Sequence, residues 1–152
     1  MVGAIMAGER PDLGYSWVTM ERENVALVRR TFDAYKEGGV EAMLPFFPPD
    51  LVWHPGPGWV EDTVYTGYDG ARKMSGIWAS SIADLVLEPC EIREVSERVL
   101  VLAEGVGTVR DTGVPVRQPY GAVYANFDGG MIGEVWFYFS WQEALEAVGL
   151  QQ

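Results

Sequence analysis

The chain contains one histidine, His54, set in the stretch DLVWHPGPG between a tryptophan and a proline–glycine turn. An imidazole with an ordinary pKa of about 6.5 accepts a proton at neutral pH without special tuning, so His54 is the natural candidate for a general base. The competing reading is a strand-end histidine bonded to a backbone carbonyl. Alternation along the strand puts His54 on the face of Val52, opposite Leu51 and Trp53. A base also needs an acid to orient it. Asp50 lies too far back on the same strand to reach the ring, whereas Glu61 and Asp62 on the following loop are better placed.

Other chemistries find little support. Cys90 is the only cysteine, so no internal disulfide can form, and a reducing, cytoplasmic setting is expected. One His and one Cys cannot build a zinc site of nitrogen and sulfur ligands, and the acids match no cation-loop motif. No metal and no cofactor are expected. The 22 acidic residues outnumber 11 basic ones, for a formal charge of −11. Nucleic acid, anionic membranes and polyanionic substrates are therefore disfavoured, which leaves a neutral or cationic small molecule or a protein partner. The opening MVGAIMAGER has no basic region ahead of a long apolar run, and no segment approaches membrane-spanning length.

The elements that must position these residues can be read in order. Residues 1–19 lack periodicity and carry Gly3, Gly8, Pro11 and Gly14, so they read as an extension ahead of a single domain over 20–152. Thr19 is a candidate N-cap for a helix whose apolar stripe is Val25, Val28, Phe32 and Tyr35 and which stops at Gly38-Gly39. A short helix over Val40–Phe47 ends at Pro48-Pro49, and Asp50–His54 is the first strand. After a Gly- and Pro-rich loop, Asp69 caps a third helix with Met74, Ile77, Trp78 and Ser81 on its inner face. Four β segments follow, Leu85–Val95, Val99–Arg110, Val114–Phe127 and Met131–Phe139, with turns at DTG and DGG. Ser140 and Glu143 form a capping-box spacing that opens a terminal helix through Val148.

Helices followed by hairpin-linked strands predict an α+β fold, in which a strongly curved sheet wraps the helices and encloses an internal pocket. Trp59, Met74, Trp78 and Tyr120 are candidates for an aromatic and sulfur-rich wall of that pocket, and ordinary core packing is the alternative for each. Gly105 and Gly107 share one face of a strand, where they either make room for a ligand or a neighbouring aromatic ring or mark a bend.

Four motifs, ENVALVRRTFDAYKEGG, DLVWHPG, YTGYDGARKM and FDGGMIGEVWFYFSWQEALEAVGL, are spread over residues 21–150, nearly the whole folded part. In these the chain resembles the SnoaL-like branch of the nuclear transport factor 2-like superfamily, whose relatives include ketosteroid isomerase, polyketide cyclase and limonene epoxide hydrolase. The resemblance implies a cone of mixed, mainly antiparallel sheet around three helices, with a short C-terminal helix. It also implies cofactor-independent isomerisation, cyclisation or water addition on a hydrophobic small molecule. His54-Pro55 occupies the place where isomerase-like members put a catalytic Asp before a Pro, which would make His54 the proton acceptor. The isomerase oxyanion positions fall on Thr31 and on Ala122 or Val123, and Tyr35, Tyr120 and Tyr124 are possible substitutes. The acid of the cyclase and hydrolase members falls on Phe137. With those acids missing, a non-catalytic ligand-binding or interaction module is the contrasting reading. Phe32, Tyr35, Trp59, Met74, Trp78, Tyr120 and Phe137 are the expected substrate-binding set. Trp136 and Tyr138, with Trp53 beside them, would leave the convex face rich in aromatic surface, and a homodimer is the simplest cover.

Overall fold

The computed structural model describes residues 13–57, 59 and 63–150. The loop acids Glu61 and Asp62, and the first part of the N-terminal extension, lie outside the described residues. Helix α1 spans Leu13–Met43 and breaks at Gly39, whose φ of 73° and ψ of −159° are not helical. The break separates the long first helix from the short second one, as the Gly38-Gly39 pair predicts. The start differs, because the helix begins at Leu13 and runs through Thr19. A single interior Gly such as Gly14 weakens a helix by about 1 kcal/mol against Ala, which is too little to forbid one. Pro45 then sits in a 3₁₀ turn over Leu44–Phe46.

The remaining elements are β1 (Val52–His54), β2 (Tyr65–Thr66), α2 (Gly67–Ser81), β3 (Ile82–Val95), β4 (Arg98–Val109), β5 (Pro115–Asp128), β6 (Met131–Tyr138) and α3 (Trp141–Ala147). They form one curved, unclosed sheet in the order β2-β1-β6-β5-β4-β3, the expected cone. Strands β3 to β6 are a meander of antiparallel pairs, and β1 joins β6 in parallel. The tight joins follow from the turn residues: Gly113, Gly129 and Gly130 all have positive φ. The two-residue strand β2, which pairs with β1, is too short to leave a pattern in the sequence. Asp69 does not cap α2. Thr66 holds the N-cap position, and Asp69 lies in the first turn, where it accepts from Arg72 Nη1 at 2.9 Å.

The sheet has a core on each face. Val99, Val101 and Ala103 alternate with Leu100 and Leu102 along β4, and the two sets pack in different clusters. The inner cluster includes Leu27, Val28 and Phe32 from α1, Ala71 and Met74 from α2, Leu51 just ahead of β1, and Trp53, Tyr124 and Val135 from the sheet. On the outer face, Ala144, Leu145 and Val148 from the C-terminal segment cover Leu100, Leu102 and Val123. The cap of α3 is the predicted one, with the Ser140 hydroxyl accepting from the Glu143 backbone N–H at 3.0 Å.

Two positions let the sheet bend where a plain strand would not. Asn126 has φ of +58°, and it lies between the paired residues Ala125↔Glu134 and Phe127↔Ile132. A side chain on Gly133 would overlap the Asn126 carbonyl. The kink resets the alternation, so Tyr124 and Phe127 both pack inward on one strand, as do Ile132 and Val135 on the other.

Candidate functional site

The inner face of the sheet, α1 and α2 line a partly open cavity of about 50 Å³. Phe32 and Tyr35 reach it from α1, Met74 and Trp78 from α2, and Tyr120 and Phe137 from β5 and β6. These are six of the seven side chains expected to contact a ligand. The seventh, Trp59, stands behind the wall: its ring lies 5.5 Å from that of Trp78 and stacks on Phe139, and its Nε1 donates to Tyr65 Oη at 2.9 Å. Trp53, Tyr124, Thr31, Met43, Leu85 and Leu87 also line the cavity.

Backbone space shapes this wall. A Cβ on Gly105 would come within 3.2 Å of the Tyr120 ring and 3.5 Å of Leu85, so a glycine on β4 leaves room for the Tyr120 ring to pack close to the strand. Gly107 faces Ile82 and Ala83, beside an irregularity in the β3–β4 pairing between Ala83 and Val86. The two glycines therefore do different work: Gly105 makes room for an aromatic ring, and Gly107 accompanies a bend.

Among the described residues, no Asp, Glu, Lys, Arg or His lines the cavity. Its titratable groups are tyrosines. Burial pushes the Tyr120 hydroxyl well above the usual tyrosine value, helped by Tyr35 and Tyr124. Burial also raises Tyr124, opposed by a hydrogen bond with Thr31. Thr31 in turn donates to the Val28 carbonyl at 2.7 Å, so this polar corner is internally satisfied. Trp53 Nε1 and Tyr120 Oη are not. Both are buried without a hydrogen-bond partner.

His54 is elsewhere. Strand β1 pairs Trp53 with Val135 and His54 with Trp136. Directly paired residues share a face, so Trp53 goes inward with Val135, and His54 goes outward with Trp136. The expectation of a cavity-facing imidazole and an outward Trp53 is thereby reversed. Both faces of this strand are apolar enough to be buried, and the pair Leu51 and Trp53 offers more apolar area than Val52 and His54. The larger pair takes the core: Leu51 is 0% exposed and Trp53 5%.

On the outer face the imidazole is well held. His54 Nε2 lies 2.6 Å from Glu134 Oε2, and Asn126 Nδ2 donates to the other carboxylate oxygen at 2.6 Å. The ring stacks on Trp136, centroids 4.8 Å apart and planes 5° apart. The orienting acid thus comes from β6, a partner that no local sequence spacing announces.

A bent mixed sheet, packed on helices around an apolar cavity, defines a cone of the nuclear transport factor 2-like class. The sequence profile of the SnoaL-like domain matches residues 28–135, and the chain belongs to that family. Among solved structures, a nuclear transport factor 2-like protein of unknown function from Burkholderia pseudomallei K96243 superposes with a TM-score of 0.68 at 22% identity, over 84% of this chain and 98% of that one. A protein assigned as a SnoaL-like polyketide cyclase from Jannaschia sp. CCS1 gives 0.68 at 16% identity, over 86% and 90%. A protein of ketosteroid isomerase-like fold from Catenulispora acidiphila DSM 44928, solved with trimethylamine, gives 0.64 at 16% identity, over 82% and 92%. Likeness at these identities defines the fold and leaves the chemistry to each chain's own residues. No curated protein matches the chain in sequence.

Proposed function

We propose that this protein is a binding module for a neutral, apolar small molecule, held in the cavity between the sheet, α1 and α2. The observation that carries this reading is the composition of the wall, which is mainly aromatic, aliphatic and thioether and, among the described residues, has no ionisable acid or base apart from tyrosine. Such a wall favours an uncharged ligand by burial of apolar area, and the formal charge of −11 further disfavours anions. Met43 and Met74 give the wall side chains that adapt readily to shape.

The alternative is a cofactor-independent isomerase, cyclase or hydrolase with His54 as proton acceptor. It has less support, because the imidazole and the cavity lie on opposite faces of the sheet and a base must be within hydrogen-bond reach of the proton it takes. The domain that carries the binding function is the segment 20–152. A homodimer through the outer face and a cytoplasmic setting belong to the same proposal, the latter motivated by the single cysteine, Cys90, which is free and exposed.

The test is a titration of the ¹⁵N-labelled protein with α-methylstyrene, followed by NMR. Saturable movement of the resonances of Phe32, Met74 and Phe137, with His54 unaffected, is the expected result. Absence of binding up to the solubility limit of the probe rejects the binding module.

A further inference from the structure

The two halves of α2 are held differently. In the first half Ala71 and Met74 are buried, Arg72 Nε donates to Glu41 of α1 at 2.6 Å, and the Tyr68 hydroxyl donates to the Phe47 carbonyl at 2.7 Å. From Ser75 to Ser81 no residue is buried. This half is tied to the sheet by Arg110, just past the end of β4. The Arg110 backbone N–H donates to the Ser81 carbonyl at 3.0 Å, and its Nε donates to the Ala79 carbonyl at 2.6 Å. The guanidinium thereby satisfies one of the last carbonyls of the helix, which have no partner within it.

Two glycines inside α2 differ in the same sense. A Cβ on Gly70 would lie 3.0 Å from the Tyr65 carbonyl carbon, so close packing on β2 calls for a glycine there. Gly76 is exposed and without positive φ, and a Cβ on it would meet nothing within 4 Å. No packing demand fixes Gly76. What it does is make the helix roughly fivefold easier to open at that point than Ala would. Just beyond α2 the chain is irregular again: Asp84 has φ of +56°, and the pairing of β3 with β4 shifts between Ala83 and Val86. The second half of α2 thus lies between two weak points.

Trp78 projects from this half into the cavity wall, its ring 5.1 Å from Tyr120 and 5.5 Å from Trp59. At about 50 Å³ the cavity is smaller than the roughly 150 Å³ apolar cavity that accepts a benzene ring. An indole is larger than benzene, so withdrawal of Trp78 by itself supplies the missing room. Resting on the binding reading above, we infer that residues 75–81 are a gate, with Gly76 its hinge, Trp78 the side chain that fills the ligand's place when it is shut, and Arg110 its latch. Arg110 touches no ligand and acts as a positioning residue for Trp78. A ring-sized ligand binds the open state, so its affinity is scaled by the fraction of chains that are open.

Native-state hydrogen exchange of the ligand-free chain, read by NMR, tests the hinge, and titration with α-methylstyrene tests the gate. Amides of residues 78–81 should exchange faster than those of 71–74. Arg110→Met keeps an apolar stem but loses the bond to Ala79. It should speed exchange of 78–81 roughly fivefold, the usual worth of one hydrogen bond, and leave 71–74 unchanged. The same variant should tighten α-methylstyrene binding roughly fivefold, because open chains become more common. Gly76→Ala should do the reverse in both measurements, and Arg110→Lys, which keeps a donor, should fall between the Met variant and wild type. Both positions are exposed and a methyl group at 76 has room, so these variants fold. Fraying of the helix end alone would speed exchange without raising affinity. Weaker or unchanged binding in Arg110→Met, or a single exchange rate along the whole of α2, overturns the gate while the binding module stands. Failure of the wild-type chain to bind the probe rejects the binding module, and the gate with it.

Discussion

His54 and Glu134 meet across the parallel pair of β1 and β6, with Nε2 and Oε2 2.6 Å apart. Their side chains are 28% and 22% exposed, so the contact is sheltered but not dry. It joins the short strand β1 to the long meander at the point where the sheet changes from antiparallel to parallel pairing. Asn126, held at positive φ, completes the set by donating to the second carboxylate oxygen. The arrangement is that of a tie between strands, with Trp136 as its floor.

A tie predicts a stability phenotype. His54→Gln should lower the unfolding free energy by about 1–2 kcal/mol, the range for a hydrogen bond to a charged group that is partly solvated. Urea denaturation measures the loss. Binding of α-methylstyrene to the folded variant should equal that of the wild type. A large change in affinity would move His54 into the ligand site.

The buried tyrosines predict alkaline sensitivity. Tyr120 and Tyr124 both have folded pKa values raised above the ordinary 10.0 by burial. As pH rises past that value the unfolded chain releases these protons first, so it binds fewer protons than the native state and stability falls with pH. Their contribution is fully present below about pH 10 and is lost as pH climbs toward the folded values. Melting temperatures measured from pH 8 to 11 should therefore decline only in the upper part of the range. In Tyr120→Phe the decline should be smaller.

The turn after His54 predicts a steric phenotype. A Cβ on Gly56 would overlap the Phe137 carbonyl oxygen and crowd the Tyr138 Cα at 3.1 Å. These are backbone atoms of β6 and cannot rotate away. Gly56→Ala should destabilise the fold by about 1–3 kcal/mol, the range for overpacking a close contact. Calorimetry of the purified variant checks this. A neutral result would show that the PGP turn can shift without loss.

The outer face predicts assembly. Trp136 and Tyr138 are half-buried beside α3, so the C-terminal helix covers part of the aromatic surface within one chain. The remaining exposed part is the proposed dimer contact. Sedimentation at micromolar concentration should give twice the monomer mass, and Trp136→Glu should convert the dimer to monomer by placing a charge in that contact. A wild-type chain that sediments as a monomer at high concentration rejects the dimer.

Local chemistry made much of this protein readable in advance. The Gly38-Gly39 break, the DTG and DGG turns, the Ser140 cap and the β segments all depend on residues near one another in the chain, and each was legible from spacing. So was the inward face of β6, where Phe137 lines the cavity, because Val135 and Phe137 alternate with larger amphipathic neighbours. Strand β1 was different. With apolar residues on both faces, its pattern allows either face inward, and a strand reversed by one residue exchanges every side chain. Only pairing with β6 decided that Trp53 enters the core and His54 leaves it. The same long-range pairing brought Glu134 to His54 and, through the kink at Asn126, supplied the third member of the set. Periodicity reports which residues can share a face, and it takes the neighbouring strand to say which way that face points.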